Sequence, residues 1–574
     1  MRRQLIEDPI ELYDIHLNIS NVASSIASRV VNGDYTPRAP KRVLVEKSKG
    51  LCRQLVIPHP YDALVLQSLS DNLHPTLKSR APHPNAFYQP DRGMSAAKLN
   101  YGGRKAWLDF QKTILDFSSR RKVLIVTDIA NFYDSISYHH LRNILSNHMP
   151  ENKETVLDLT LHVLSALLWQ PDYMPRVEIG LPQMNLNAPR MLANAYLFEL
   201  DKLITTYASL DYARYMDDVD VGVDSVAEAK PILRDIDLTL QSRQLRLNAG
   251  KTKILIGESI DIHFRTKQNH LLDLLIARIE ENPVNINEHR RTLGRLFRGW
   301  TRKKIFDGEG NGEKILKRSL NLAAKIDVHI PADQVSTIIH LRPNLREEAF
   351  RYATRVSFST QYVAVLLKFI ASSDIVDDAS ALMFAYKLVE LRAPTVLRER
   401  KLICETAKWM LKRERREIWV YAALWILSKY GTQRQLMAAI DATYPVWQSD
   451  YYLGRLVASL ECMIPSRNLP KYRGLIRASR NPGASEVSAF YDDIITEPNT
   501  TKGIIRFLRA NNRNPNKISH PKWIVLLHVL DSPVVSSATK DMLKKSHGIA
   551  LSDRYYRIRA RKHLKPKAAA QPAP

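Results

Sequence analysis

Two adjacent carboxylates, Asp217 and Asp218, follow Tyr215-Met216 where strand-like runs on either side require a hairpin turn. Tyr212-Ala213-Arg214 precedes them and Val219-Asp220-Val221-Gly222-Val223 follows. Adjacent acids repel and resist burial, so a folded chain keeps such a pair where something positive sits against it. The usual partner is a divalent metal ion with hard oxygen ligands. A third acid, Asp128, ends the run Val123-Leu124-Ile125-Val126-Thr127 and is followed by Ile129-Ala130-Asn131-Phe132-Tyr133-Asp134. One acid at a strand end beside a hairpin bearing two more suits nucleotide joining by two metal ions roughly 3.5–4 Å apart, one on a 3′-hydroxyl and one on a triphosphate.

The elements that must position these residues divide by texture near residue 270. Before it, β-branched runs alternate with helical stretches and Gly/Pro loops, an α+β pattern. After it, nearly everything has helical period: Asp378 to Leu391, Glu417 to Lys429, Gln433 to Ile440 and Tyr452 to Met463. Successive amphipathic helices with short links predict an α-solenoid of HEAT-like type, or equally an irregular helical bundle, over residues 271–553. The stretch Asp307-Gly308-Glu309-Gly310-Asn311-Gly312 reads as a flexible loop, and residues 554–574, basic and then Ala/Pro-rich, as a disordered tail.

The chain has 574 residues and is 45% apolar, enough for several folded units, and its formal charge is +25. That charge points to a polyanionic partner, nucleic acid rather than a membrane surface. Cys52, Cys404 and Cys462 are scattered, with no zinc spacing and no disulfide framework. The opening residues turn acidic before an apolar run forms, and no apolar stretch reaches a membrane span, so a soluble cytoplasmic protein is expected.

An ordered series over roughly residues 40–256 resembles the reverse transcriptases. Glu46-Lys47-Ser48-Lys49-Gly50-Leu51-Cys52-Arg53-Gln54-Leu55-Val56-Ile57-Pro58 is similar to the family's Pro-Lys-x-x-Gly-x-x-Arg-Pro-Leu-x-Ile-Pro. The resemblance makes Lys47 and Arg53 the clamp on the incoming triphosphate. It makes residues 1–270 right-hand-like fingers and palm, with Asp128, Asp217, Asp218 and the Ile129 carbonyl holding two Mg²⁺ ions (or Mn²⁺). Tyr133, five residues after Asp128, takes the place of an aromatic gate against a 2′-hydroxyl, which implies dNTP substrates. Gly180-Leu181-Pro182-Gln183 and Leu192-Ala193-Asn194-Ala195-Tyr196-Leu197 match a loop and helix that set Gln183 against the nascent base pair. Here the chain departs from the family: Met184 stands where a Gly is usual, and one residue is added before the Leu-Ala-Asn run. Glycine permits close approach and φ > 0, which Met does not, so ordinary templating is in question. Leu247-Asn248-Ala249-Gly250-Lys251-Thr252 is similar to the family's Leu-Asn-x-x-Lys-Thr, which makes Lys251 the group that protonates or stabilises the departing pyrophosphate.

Beyond the palm, Arg290, Arg291, Arg295, Arg298, Arg302, Lys303 and Lys304 surround Phe297 and Trp300. Charge neutralisation with base stacking is how single-stranded DNA or RNA is held, while a solvated helical face gives the same pattern. The long helical half resembles that of bacterial defence-associated, abortive-infection-type reverse transcriptases. That resemblance implies an antiphage DNA polymerase, untemplated and primed from a protein hydroxyl, in a homo-oligomer. The pairs Tyr451-Tyr452 and Tyr555-Tyr556 are candidate acceptors among 24 tyrosines. Two alternatives stay open: a retron-like templated enzyme bound to a noncoding RNA or a partner protein, and a non-catalytic nucleic-acid scaffold.

Overall fold

The computed structural model describes residues 5–88, 103–168, 178–307, 310–357, 360–391, 397–413, 416–496, 498–509, 519–547 and 553–560. Strands β1 (Lys41–Ser48) and β2 (Leu51–Ile57) form an antiparallel hairpin in which Val45 faces Arg53. Its turn puts Lys49 (φ 52°) and Gly50 (φ 82°) in the left-handed region, the twist a tight hairpin requires, and the Gly50 N–H donates to Glu46 Oε1 at 2.9 Å.

A second sheet holds β3 (Val123–Asp128), β4 (Asp211–Tyr215), β5 (Asp218–Val223) and β6 (Lys253–Ile256) in the order β4-β5-β3-β6, all antiparallel. Alternation along the strands gives it two apolar faces. Ile125, Val219 and Val221 pack on one side against the Tyr138–Ser146, Asn187–Tyr196 and Val226–Gln241 helices. Leu124, Ala213 and Leu255 pack on the other against Phe110, Ile114 and Phe117 of the Gly103–Arg120 helix.

From Thr266 onward the described residues form helices. Among them, Gly312–Ile326 packs on Arg346–Arg355, that helix on Asp378–Glu390, and Asp378–Glu390 on Glu417–Tyr430, so every second helix stacks. The expected helices at 378, 417, 433 and 452 are present with ends within a residue or so of those read from periodicity, the last finishing in a 3₁₀ turn. The tail reading is corrected at its start. Arg554–Arg559 is a helix with Tyr555 and Tyr556 buried, held at its N-terminus by the Asp553 carboxylate; residues 561–574 lie outside the described residues. No helix among the described residues is long and apolar enough to cross a membrane.

The division at residue 270 is not a division of packing. Ile6, Ile10, Tyr13, Val43 and Ile57 belong to the core of the helical half. Fully buried Arg455 joins Asp8 (2.5 Å), Asp14 (2.8 Å) and Glu486 (3.1 Å). Buried Arg346 joins Glu46 of β1 (2.6 Å) to Asp377 (3.2 Å), and the Leu44 N–H donates to Asp378 Oδ2 at 3.0 Å. The hairpin is therefore seated on the helical half by ion pairs that are costly to break from one side.

Candidate active site

Strand register builds the site. Asp128 ends β3 directly opposite Asp218, which starts β5, so the two carboxylates leave the same face of the sheet. Tyr215 pairs with Asp218, leaving Met216-Asp217 as a two-residue turn with Met216 at φ 58°. A buried cation holds that turn: the Arg214 guanidinium donates to the Met216 carbonyl (3.1 Å), to Asn194 Oδ1 (3.0 Å) and to both oxygens of Asp201 (2.8 and 2.5 Å). Arg214 and Asp201 are fully buried, and Tyr212 also donates to Asp201 at 2.8 Å.

The segment after the Val226–Gln241 helix runs alongside the end of β3. Asn248 N–H donates to the Asp128 carbonyl (2.7 Å) and Ala130 N–H to the Arg246 carbonyl (2.9 Å), so the Ile129 carbonyl is not an acceptor in this ladder. The same segment brings Lys251 Nζ to Asp128 Oδ2 at 2.6 Å. Burial pushes the Asp217 carboxyl up to about 6, helped by the charges of Asp218 and then Asp128. Asp218 is raised too, first by burial and then by Asp128, against the lowering pull of Lys314 and Lys251.

Among the described residues, no group of three or more His, Cys, Asp or Glu stands close enough to form a finished metal cage. The donor chemistry nevertheless fits a hard divalent cation. Three carboxylates converge, two of them hold protons more tightly than free carboxylates do, and an ammonium already rests on the third.

Tyr133 lies near this cluster. Burial raises its hydroxyl pKa, and the charges of Arg190 and Asp217 both reach it. Its neighbour Phe132 is buried in the core, as the alternation of the two rings suggested. Gln183 donates through Nε2 to Asp134 at 3.3 Å, and its carbonyl accepts from Val56 N–H at 2.8 Å, tying the base of the hairpin to this loop. The concern over Met184 is answered by its conformation. Met184 is not among the positive-φ residues, and its side chain is buried in the palm core, so it fills space without backbone strain. Lys47 and Arg53 are exposed on the hairpin, and Lys47 alternates with Glu46, which turns to the helical half.

Sequence reasoning missed Arg190. It stands in the first turn of the Asn187–Tyr196 helix, bonded to Asn185 Oδ1 at 3.2 Å, with its charge felt at Tyr88, Tyr133 and Tyr215. An exposed cation just after Pro189 was the available signal.

The basic segment is corrected in part. On the Ile286–Arg302 helix, Phe297 and Trp300 are buried against Phe306, with ring centroids 5.2 and 6.3 Å apart, so the indole packs inward and is not offered to bases. Arg290 is committed to the Ile326 carbonyl (2.6 Å) and Asp327 (3.8 Å). Arg291, Arg295, Arg298 and Arg302 are exposed at helical spacing on one face, followed by exposed Lys303 and Lys304. The tyrosine pairs are corrected as well: Tyr452 donates to the Pro58 carbonyl (2.9 Å), Tyr451 to Glu486 (2.6 Å), and Tyr555 and Tyr556 are buried.

Residues 45–289 match the family described as reverse transcriptase (RNA-dependent DNA polymerase). No curated protein matches the chain. Among solved structures, apo telomerase from Candida tropicalis is 11% identical over 71% of this chain and 72% of its own, with a TM-score of 0.30. Telomerase from Candida albicans with a TWJ fragment of telomeric RNA is 10% identical over 65% of this chain and 62% of its own, with a TM-score of 0.28. Overlap that loose bears on neither activity nor partners. By the family match, this chain carries a reverse transcriptase domain of the RNA-directed DNA polymerase family of nucleotidyltransferases, with a helical region behind it.

Proposed function

We propose that this chain is a metal-dependent DNA polymerase that extends a strand with dNTPs in a bacterial antiphage system. The observation that supports the reading best is the register that sets Asp128 against Asp218, with Asp217 in the turn between β4 and β5 and Lys251 on Asp128. Two Mg²⁺ ions, when bound, would activate a 3′-hydroxyl and neutralise the triphosphate. Asp128, Asp217 and Asp218 would hold them, with the Ile129 carbonyl as a further oxygen. Lys251, released from Asp128 as that carboxylate turns to a metal, would give its proton to the departing pyrophosphate. Arg53 and Lys47 would grip the triphosphate, the former bidentately. Tyr133 would press on the sugar and exclude a 2′-hydroxyl, and Gln183 would lie beside the new base pair. Arg291, Arg295, Arg298, Arg302, Lys303 and Lys304 would hold strand phosphates without stacking.

The antiphage setting, and a HEAT-like character for the stacked helices, rest on the resemblance of the helical half. Untemplated, protein-primed synthesis loses support from Met184 and from the buried tyrosine pairs. A templated reaction on a bound RNA becomes the second reading, favoured by the unstrained loop around Gln183. The test is to incubate the full-length protein with Mg²⁺ and labelled dNTPs, singly and mixed, then sequence the products and treat them with protease. DNA complementary to a copurified RNA supports templating. Biased DNA that shifts on protease digestion supports protein priming. Equal incorporation by Asp217→Asn would defeat the two-metal reading, and nucleic-acid binding with no incorporation under any supplied template would favour the scaffold alternative.

A further inference from the structure

The face of the palm sheet that carries Asp128 and Asp218 carries one acid more. Asp220 lies two residues along β5, opposite Val126, and so projects on the same side as Asp218. It is 5% exposed, and its Oδ1 has no hydrogen-bond partner. A buried carboxylate without partners is costly unless a cation stands close.

The helical half supplies one. Lys314 lies in the first turn of the Gly312–Ile326 helix, where a positive side chain opposes the helix dipole and does nothing for the helix itself. The start of that helix is fixed to the palm. Asn311 N–H donates to the His263 carbonyl at 2.8 Å, and Gly310 (φ 79°) approaches so closely that a Cβ there would stand 2.3 Å from the same oxygen. His263 belongs to the Glu258–Phe264 helix that follows β6. Lys314 Nζ then lies 5.1 Å from the centroid of Trp107, whose ring meets Tyr215 edge-on at 5.1 Å, beside the turn that carries Asp217.

We propose that Lys314 is a positioning residue of the carboxylate site, a fixed counter-charge that the helical half delivers to Asp218 and Asp220 and that sets how tightly the palm holds divalent cations. In support, Lys314 is the largest charge acting to lower the Asp218 pKa, ahead of Lys251, and the only cation named as opposing burial at Asp220. The inference rests on the metal-dependent reading of Asp128, Asp217 and Asp218 proposed above.

The test is Mn²⁺ binding to the full-length protein, read from the electron paramagnetic resonance signal of free Mn²⁺. A unit charge removed several ångströms from a divalent ion at a partly solvated site should tighten binding about tenfold, so Lys314→Met should lower the Mn²⁺ Kd by that factor. Lys314→Arg keeps the charge and should stay within about twofold of wild type. Lys314→Gln replaces Lys314→Met if the latter melts early, with the same expectation. A Kd in the neutral variants that is unchanged or weaker overturns the proposal. The double variant Asp217→Asn/Asp218→Asn keeps the two failures apart: Mn²⁺ binding that survives it overturns the metal reading itself, and the inference with it.

Discussion

The strain in the carboxylate turn can be measured without any substrate. Burial, then the charge of Asp218 and then that of Asp128, moves the Asp217 carboxyl from 3.8 to about 6. The native chain therefore holds this proton more tightly than the unfolded chain does, and stability must fall as pH rises between those two values. Above about pH 6 the cost is complete, and the displacement converts to about 3 kcal/mol against the metal-free fold. A bound cation should return that energy, because it stabilises the ionised form.

Asp217→Asn removes both the cost and its relief. In EDTA at pH 7.5 the variant should melt above wild type, and at pH 4 the difference should shrink towards zero. Added Mg²⁺ should raise the wild-type melting temperature and leave the variant where it was. The assay is a thermal melt across pH 4–8 with EDTA or Mg²⁺, read as the difference between the two proteins so that other titrating groups cancel. A variant that melts below wild type in EDTA by the same margin at pH 4 and pH 7.5 would refute the argument. Asp217 would then be an ordinary hydrogen-bonded turn residue with no stored repulsion.

Three further outcomes are expected. Arg214→Met strands the fully buried Asp201 carboxylate and should cost about 3–5 kcal/mol in a denaturant melt, partly recovered by adding Asp201→Asn; a loss under about 1 kcal/mol would remove Arg214 as the support of the turn. Arg346→Met leaves Glu46 and Asp377 buried without their cation, so amide exchange in β1 and β2 should accelerate while β3 and β5 keep their protection; uniform protection would mean the hairpin is held by something else. Tyr133→Ala should raise the ratio of ribonucleotide to deoxynucleotide kcat/KM, and an unchanged ratio withdraws its gate role.

What could be read from the chain beforehand was local. Asp128 after five strand-like residues, and Asp217-Asp218 between two such runs, fix a hairpin beside a strand end by alternation alone, and β3, β4 and β5 lie where those runs are. Trp300 was misassigned although the signal was present. Leu293, Phe297 and Trp300 recur at four and three residues, as do Arg291, Arg295, Arg298 and Arg302, so one helix has an apolar stripe and a basic stripe and its aromatics belong to the first. Met184 was misjudged because a motif glycine was taken to imply a left-handed backbone that this loop does not adopt there.

The long-range ion pairs had no sequence signal at all. Arg455 meets Asp8 across 447 residues and Arg346 meets Glu46 across 300, and nothing in either neighbourhood names its partner. Those pairs alter the functional argument more than any motif does. They seat the hairpin bearing Lys47 and Arg53 in the core of the helical half, while Asp128, Asp217 and Asp218 stay with the palm sheet. A hairpin that closes on a triphosphate must then either break a buried Arg346–Glu46 contact or carry the helical half with it. The second route is favoured, because opening a buried ion pair from one side costs about 3–5 kcal/mol and a rigid shift costs none of it.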